Sequence, residues 1–296
     1  MATAELLIDS AFLEKLERLA IRWQKSLPGL IGGHNMSRFA GPGQEFLDHR
    51  HFHQGDDLRA VNWRAYLRLD KLFLKMFQTE PRVPVRILLD ISNSMTTDGG
   101  TPKFDYARQL AAALAYIALL RLEFISLQPF SDRLGDPLAL GGGRQRFQPA
   151  ARFLSQLSPG GRTDFLQVVR NFSARYPQRG IAIVISDFLD DADHNKALQY
   201  LADFGHELLL VQVWGDEDRN PPWQGELDLE DAETGKRIQL NFDDRAREAY
   251  TEEFDKHAQG LRSLALRNGG RYVGVPTSVP VEEVLFSSLV RVGALE

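Results

Sequence analysis

The sequence predicts an α/β protein with a doubly wound, mostly parallel sheet and helices on both of its faces. From residue 85 onward, short apolar segments alternate with helical segments, as they do when parallel strands are joined by helical crossovers. Two of the apolar segments, VRILLD at 85–90 and IAIVIS at 181–186, are unbroken, which is typical of strands covered on both faces. Hydrophobic residues make up 43% of the 296 residues and charged residues 25%, which are ordinary values for a globular protein with a packed core.

The chain before the first unbroken strand gives weaker periodic signals. Asp9 or Ser10 can cap a first amphipathic helix, which we expect to end before Pro28. Residues 29–62 are rich in Gly, His, Arg and Asp, and they predict a loop-rich segment with room for a hairpin. The segment LFLKMFQTE at 72–80 then predicts a strand.

The later elements follow one another in a regular order. We expect helices at about 103–121, 150–157, 164–176, 193–204, 244–268 and 281–290, and further strands at EFISLQPF, ELLLVQVW and RYVGV. A β-hairpin insertion at about 224–242 interrupts this order, because its residues alternate around a Thr-Gly turn. We assign 81–296 to the sheet domain and expect residues 1–80 to pack on it.

Composition excludes several classes of function. The 40 acidic residues outnumber the 35 Lys and Arg, so the net charge of -5 predicts no binding to nucleic acid or to an anionic membrane. The absence of cysteine removes thiolate metal sites and cysteine nucleophiles. The N-terminus lacks the apolar core of a signal peptide, and the richest apolar stretch, at 110–120, is shorter than the ~20 residues of a membrane span. We therefore expect a cytoplasmic protein without a membrane span.

Polar side chains follow both unbroken strands. Asp90 ends the first of them and is followed at alternate positions by Ser92 and Ser94, whereas Asp187 directly follows the second. Ligands bind beyond the carboxyl ends of strands in an open parallel sheet. If the strands are neighbours, the two carboxylates face each other and need a cation between them. Carboxylate and hydroxyl oxygens favour Mg²⁺ or Mn²⁺.

Three other segments have a polar or glycine-rich composition. Thr163, in GGRTDF, offers a further hydroxyl ligand or a simple helix cap. His49, His51 and His53 alternate, which is compatible with a zinc site but is more typical of a polar strand. The glycines at 141–143 lack the lysine and hydroxyl of a phosphate-binding loop, so they predict a turn.

The oxygen-donor residues resemble the metal-ion-dependent adhesion site of von Willebrand factor type A domains. In chain order, the positions that match are Asp90, Ser92, Ser94, Thr163 and Asp187. The resemblance implies a von Willebrand factor A-like fold, in which some of these residues bind Mg²⁺ directly and others through water. It also implies one coordination place for an acidic side chain of a protein partner, in a site that recognises and does not catalyse.

The segment upstream is similar to the signature of bacterial proteins known as domain of unknown function 58. The matching residues are Gly43, Glu45, Phe46, Arg50, Gly55, Asp56, Asp57, Arg59, Trp63, Arg68 and Glu80. Two positions depart from the family pattern. Phe52 stands where the family usually has an aromatic residue that carries a hydroxyl group, and Asn62 stands where it usually has an aspartate. The resemblance implies a MoxR-type AAA+ ATPase as partner, in the maturation or remodelling of other proteins.

Two alternatives to a non-enzymatic binding module remain open. The same cation can serve a metal-dependent hydrolase or phosphotransferase as a Lewis acid, with His53 or Asp98 as base. Against this, Ser92 stands where an Asp-x-Asp phosphotransferase needs a second carboxylate. The other alternative is that the metal site has become purely structural.

Overall fold

The protein divides into two compact units. The computed structural model describes residues 8–22, 45–53, 61–78, 83–96, 102–121, 123–189, 194–232 and 234–296. One unit comprises residues 1–24 and 83–296, and the other comprises residues 25–82. The first helix therefore belongs to the unit that contains the sheet.

Helix α1 spans Ser10–Leu16 and is shorter than the sequence predicts. As predicted, Asp9 caps it, since its carboxylate accepts a hydrogen bond from the backbone N–H of Phe12 at 2.6 Å. The backbone N–H of Ala20 donates to the carbonyl of Glu296 at 2.8 Å. The chain therefore leaves the helical path to pair with the C-terminal residues, which local periodicity does not reveal.

The smaller unit contains a two-stranded sheet and one helix. Strand β1, Glu45–His51, pairs antiparallel with β2, Phe73–Gln78, and helix α2, Trp63–Leu69, lies between them in the chain. The sequence predicted β2 but not α2. Asn62 caps α2, because its side-chain oxygen accepts from the N–H of Ala65 at 3.3 Å. Asparagine and aspartate cap about equally well, so this departure from the family pattern keeps the cap.

The larger unit is built on a six-stranded sheet. Its strands in chain order are β3 Val85–Asp90, β4 Ile125–Phe130, β5 Leu138–Leu140, β6 Ile181–Ser186, β7 Glu207–Trp214 and β10 Arg271–Pro276. The strands β8 Gly225–Glu230 and β9 Arg237–Phe242 lie between β7 and β10 in the chain and form a separate hairpin. The spatial order is β10-β7-β6-β3-β4-β5, and every pair except β4 with β5 is parallel. This confirms the predicted doubly wound sheet, to which the unpredicted strand β5 adds an antiparallel edge.

Helices cover both faces of this sheet. They are α3 Lys103–Leu120, α4 Phe147–Gln156, α5 Phe165–Arg175, α6 His194–Asp203, α7 Asp216–Arg219, α8 Asp244–Arg267 and α9 Val281–Glu283, which continues as a π-helical turn at Val284–Leu289. Short 3-10 turns lie at Asn93–Thr96 and Arg144–Arg146. Except for the short α7, these helices fall where the alternation of segments predicts them.

Alternate residues of β3 enter two different cores. Val85, Ile87 and Leu89 pack with α3, whereas Leu88 packs with α5, α6 and α8. Because side chains alternate along a strand, Arg86 and Asp90 lie on the same face as Leu88. Both faces are therefore buried, as the unbroken apolar run predicts.

The β8–β9 pair forms the predicted hairpin outside the main sheet.

Across the described ranges, no helix combines the length and apolar character that crossing a membrane requires.

Candidate functional site

The order of strands reverses between β3 and β6. The chain passes from β3 to β4 on one side and then returns to β6 on the other side of β3. Asp90 is the last residue of β3, and Asp187 directly follows β6; their side chains are 1% and 2% exposed. The structure therefore places two buried carboxylates at the kind of crevice where open α/β sheets bind ligands.

Hydrogen bonds join four of the predicted site residues into one cluster. The backbone N–H of Ser92 donates to Oδ1 of Asp90 at 2.8 Å. The hydroxyl oxygens of Ser92 and Ser94 are 2.9 Å apart, and the hydroxyl of Ser94 donates to Oδ1 of Asp187 at 3.4 Å. Residues from two separate strand ends thus present carboxylate and hydroxyl oxygens to a common point.

Thr163 lies in a loop that is fastened to this edge of the sheet. In that loop, the backbone N–H of Gly160 donates to the carbonyl of Ile91 at 2.7 Å. The side chain of Thr163 is half-buried. The helix cap that the sequence allowed at Thr163 belongs to Asp164, whose carboxylate accepts from the N–H of Gln167 at 3.0 Å. The role of Thr163 as a metal ligand stays a prediction.

Lys103 adds a buried positive charge that the sequence did not identify. Its Nζ is 2.8 Å from Oδ2 of Asp187 and 3.1 Å from Oδ2 of Asp218, and the lysine side chain is 2% exposed. Burial by itself lowers the pKa of Lys103, but the charges and hydrogen bonds of Asp187 and Asp218 outweigh burial and raise that pKa above its usual value. Lys103 is therefore an ammonium ion that compensates Asp187 from inside the fold.

The environment of Asp90 disfavours its ionised form. Burial is the main cause and the charge of Asp187 the second, and together they raise the pKa of Asp90 to about 7 despite opposing hydrogen bonds from Ser186 and Ser92. The hydroxyl of Ser186 donates to Oδ2 of Asp90 at 2.6 Å. A carboxylate in this position is stabilised by either a proton or a nearby cation.

The turn after β6 holds Asp187 in place. Phe188 has φ of 53°, which is unusual for a bulky residue, and its backbone N–H donates to the hydroxyl of Ser186 at 3.0 Å. The side-chain amide of Gln212 donates to the carbonyl oxygen of Asp187 at 3.1 Å. Of these supporting residues, only Ser186 has a clear sequence signal, since it is the polar end of an apolar strand.

The donor set fits a hard divalent cation. Asp90 and Asp187 are buried carboxylates, and Ser92 and Ser94 add hydroxyl oxygens, which suit Mg²⁺ or Mn²⁺. Lys103 holds Oδ2 of Asp187, whereas Oδ1 lies on the side of Ser94. A cation at this cluster would therefore rely on hydroxyl groups or water for much of its coordination.

The other predicted sites gain no support. Over the residues with assigned structure, no group of three or more His, Cys, Asp or Glu side chains is arranged to hold a metal ion. The zinc alternative includes His49, of whose side chain nothing is described. Asp98, named as a possible base, lies outside the described residues, and His53 belongs to the smaller unit.

Comparison with known proteins places the chain in a family. Residues 48–260 match the family described as Protein of unknown function DUF58. Uncharacterized proteins of Mycobacterium bovis and Mycobacterium tuberculosis are each 25% identical over 261 residues, covering 84% of this chain and 80% of theirs. Among solved structures, the chain is similar to the conserved hypothetical protein BatB from Bacteroides thetaiotaomicron, with 22% identity, a TM-score of 0.45, and coverage of 71% of this chain and 98% of that one. It is also similar to the VWA domain of SpRpn10, with 13% identity, a TM-score of 0.38, and coverage of 70% and 94%. Since the family match spans well over half of the residues, the chain belongs to the DUF58 family.

Proposed function

We propose that this protein is a non-enzymatic protein-interaction module whose binding site is completed by a divalent cation, Mg²⁺ or Mn²⁺. The metal residues of this proposal are those predicted from the sequence: Asp90, Ser92, Ser94, Thr163 and Asp187. The observation that carries it is the convergence of Asp90 and Asp187, two buried carboxylates from neighbouring strands, on the hydroxyl groups of one turn.

The coordination chemistry of the site suits an acidic partner group. A divalent ion would neutralise Asp90 and Asp187, while Lys103 would remain balanced by Asp218. A hard cation keeps exchangeable water, so a carboxylate of a partner protein would replace one water as an ordinary oxygen ligand. The family resemblance adds a MoxR-type AAA+ ATPase as the partner in the maturation or remodelling of other proteins.

Mg²⁺ is expected to stabilise the wild-type protein and not Asp90→Asn. A ligand that binds only the folded state adds about 2.7 kcal/mol to the free energy of unfolding when its free concentration is about 100 times its Kd. Thermal and urea unfolding in Mg²⁺ and in chelator measure this difference. Asp136→Asn, at an exposed aspartate, should respond like wild type. Equal stability of the wild type in Mg²⁺ and chelator, with no heat in a calorimetric titration, would rule out the metal site.

A pull-down from native lysate tests the partner. Wild type in Mg²⁺ is expected to retain an AAA+ ATPase that is lost with Asp90→Asn and in chelator, because both changes remove the cation that binds the partner's acid. The same proteins captured under all conditions would contradict a metal-assisted partner. Metal-dependent turnover of generic phosphatase substrates, abolished by Asp90→Asn, would instead support the hydrolase.

A further inference from the structure

Arg86 is a buried positive charge at the end of β3 opposite to Asp90. The two residues are four positions apart on the same strand, or about 13 Å. The side chain of Arg86 is 4% exposed, and its Nη1 is buried without a hydrogen-bond partner. Nothing in the proposed metal site accounts for this charge.

Compensation of Arg86 inside the protein is incomplete. Its guanidinium carbon lies 4.9 Å from the ring centroid of Tyr176, a cation–π contact, but no acidic residue of the described chain forms an ion pair with it. Glu207, the buried acid at the start of β7, lies on the other face of the sheet and is paired with Arg271. Taking an ionised guanidinium out of water costs several kcal/mol unless an anion pairs with it, so the site favours an anion.

His206 adds no second charge to this region. Burial chiefly, and then the charge of Arg86, lower the pKa of His206 to about 4, against smaller opposing effects of the backbone at Gly180 and Tyr176. The imidazole is therefore neutral at pH 7, and Arg86 is the charge that an incoming anion meets.

Arg86 lines a cavity of about 360 Å³ at the amino-terminal edge of the sheet. Apart from Arg86, its side chains are mostly apolar, including those of Pro84, Phe124 and Leu140. Phe124 is 52% exposed. An apolar cavity with a few convergent polar groups is typical of small-molecule sites, and this volume is at the small end of their range.

Two features of the cavity suit a carboxylate. Ser126 lines it and can turn its hydroxyl from Tyr176, 3.0 Å away, toward an anion, while the hydroxyl of Tyr176 donates to Oε1 of Gln128 at 3.3 Å. Gly180 leaves room for the guanidinium, since an added Cβ would meet Nη1 of Arg86 at 2.5 Å and collide with the carbonyl oxygen of Pro84. The planar guanidinium matches the two oxygens of a carboxylate.

We propose that this cavity binds a small organic acid, whose carboxylate pairs with Arg86 and whose apolar body packs against Phe124 and Tyr176. The site is separate from the metal centre and does not depend on it. Charge complementarity selects the anion, and the aromatic lining selects an apolar body over inorganic phosphate.

Titration with benzoate, followed by NMR, tests this proposal. Saturable shifts are expected at the backbone amides of Val85, Ile125 and Ser126, and in chelator as well as in Mg²⁺. Benzamide has the same shape without the charge. Its Kd should be higher by at least about tenfold, as expected when a charged hydrogen-bonded pair is lost. Inorganic phosphate should compete poorly.

Variants locate the charge that is responsible. Arg86→Met should lose benzoate binding, whereas Arg170→Met, which removes an exposed arginine from α5, should retain it. Equal binding of benzoate and benzamide to wild type, shifts elsewhere in the protein, or retained binding in Arg86→Met would overturn the proposal. The comparison of benzoate with benzamide uses wild type alone, so it decides the question even if Arg86→Met does not fold.

Discussion

Lys103→Met is expected to lower the free energy of unfolding of the metal-free protein by about 3–5 kcal/mol, the usual effect of removing one partner of a buried ion pair. Lys103 and Asp187 are both 2% exposed, and the substitution leaves Asp187 without its ammonium partner. Methionine retains the length and apolar stem of lysine, so the change removes charge more than volume. Urea unfolding in chelator measures the loss.

The same variant separates a structural lysine from one that shares its site with a cation. If a divalent ion binds at Asp90 and Asp187, Mg²⁺ should stabilise Lys103→Met more than it stabilises wild type, because one competing positive charge is gone. Lys256→Met, at an exposed lysine paired with Glu253, should change stability by only about 0.5 kcal/mol and respond to Mg²⁺ like wild type. A destabilised Lys103→Met that Mg²⁺ does not restore would confirm the ion pair and argue against the metal.

In the metal-free protein, the contribution of Asp90 to the free energy of unfolding is expected to fall as pH rises from about 4 to about 7. The pKa of this carboxyl is raised in the folded state from 3.8 to about 7. A raised pKa means that the folded state holds the proton more tightly, so its contribution is complete at low pH and is lost as pH rises through the folded value. A shift of this size corresponds to roughly 4 kcal/mol as an upper figure.

Asp90→Asn isolates this contribution, because a carboxamide does not titrate. The free energy of unfolding of wild type minus that of Asp90→Asn should fall between pH 4 and pH 7 in chelator. The difference is needed because His206, with its pKa lowered to about 4, changes stability in the opposite direction over the same range. Mg²⁺ should reduce the fall, since the ion stabilises the carboxylate. A difference that does not vary with pH would show that Asp90 is ionised throughout.

Much of the fold and the centre of the site follow from local sequence. The unbroken runs of β3 and β6 predict buried parallel strands, and the polar residues that end them predict where the strand order would bring carboxylates together. The local signal selects Asp90 and Asp187, whereas their convergence depends on β3 and β6 being neighbours, which the folded chain shows. The hairpin β8–β9 was equally visible, because a period of two around a Thr-Gly turn is a local signal.

The features that the sequence did not predict depend on distant contacts. Lys103 reads as an ordinary first residue of an apolar helix, and only the folded chain shows that it reaches Asp187 and Asp218. The length of α1 was wrong because Ala20 pairs with Glu296 at the other end of the chain. The signal for Asp218 was available, since it follows the next strand of the sheet, but its neighbours are also acidic.

Because Lys103 already neutralises Asp187, the folding of this protein does not depend on a divalent ion. The polypeptide can reach its native state with Asp187, one of the two site carboxylates, neutralised by its own lysine. If the proposed site binds an ion, that ion joins a domain that is already folded and adds a ligand position at this edge of the sheet.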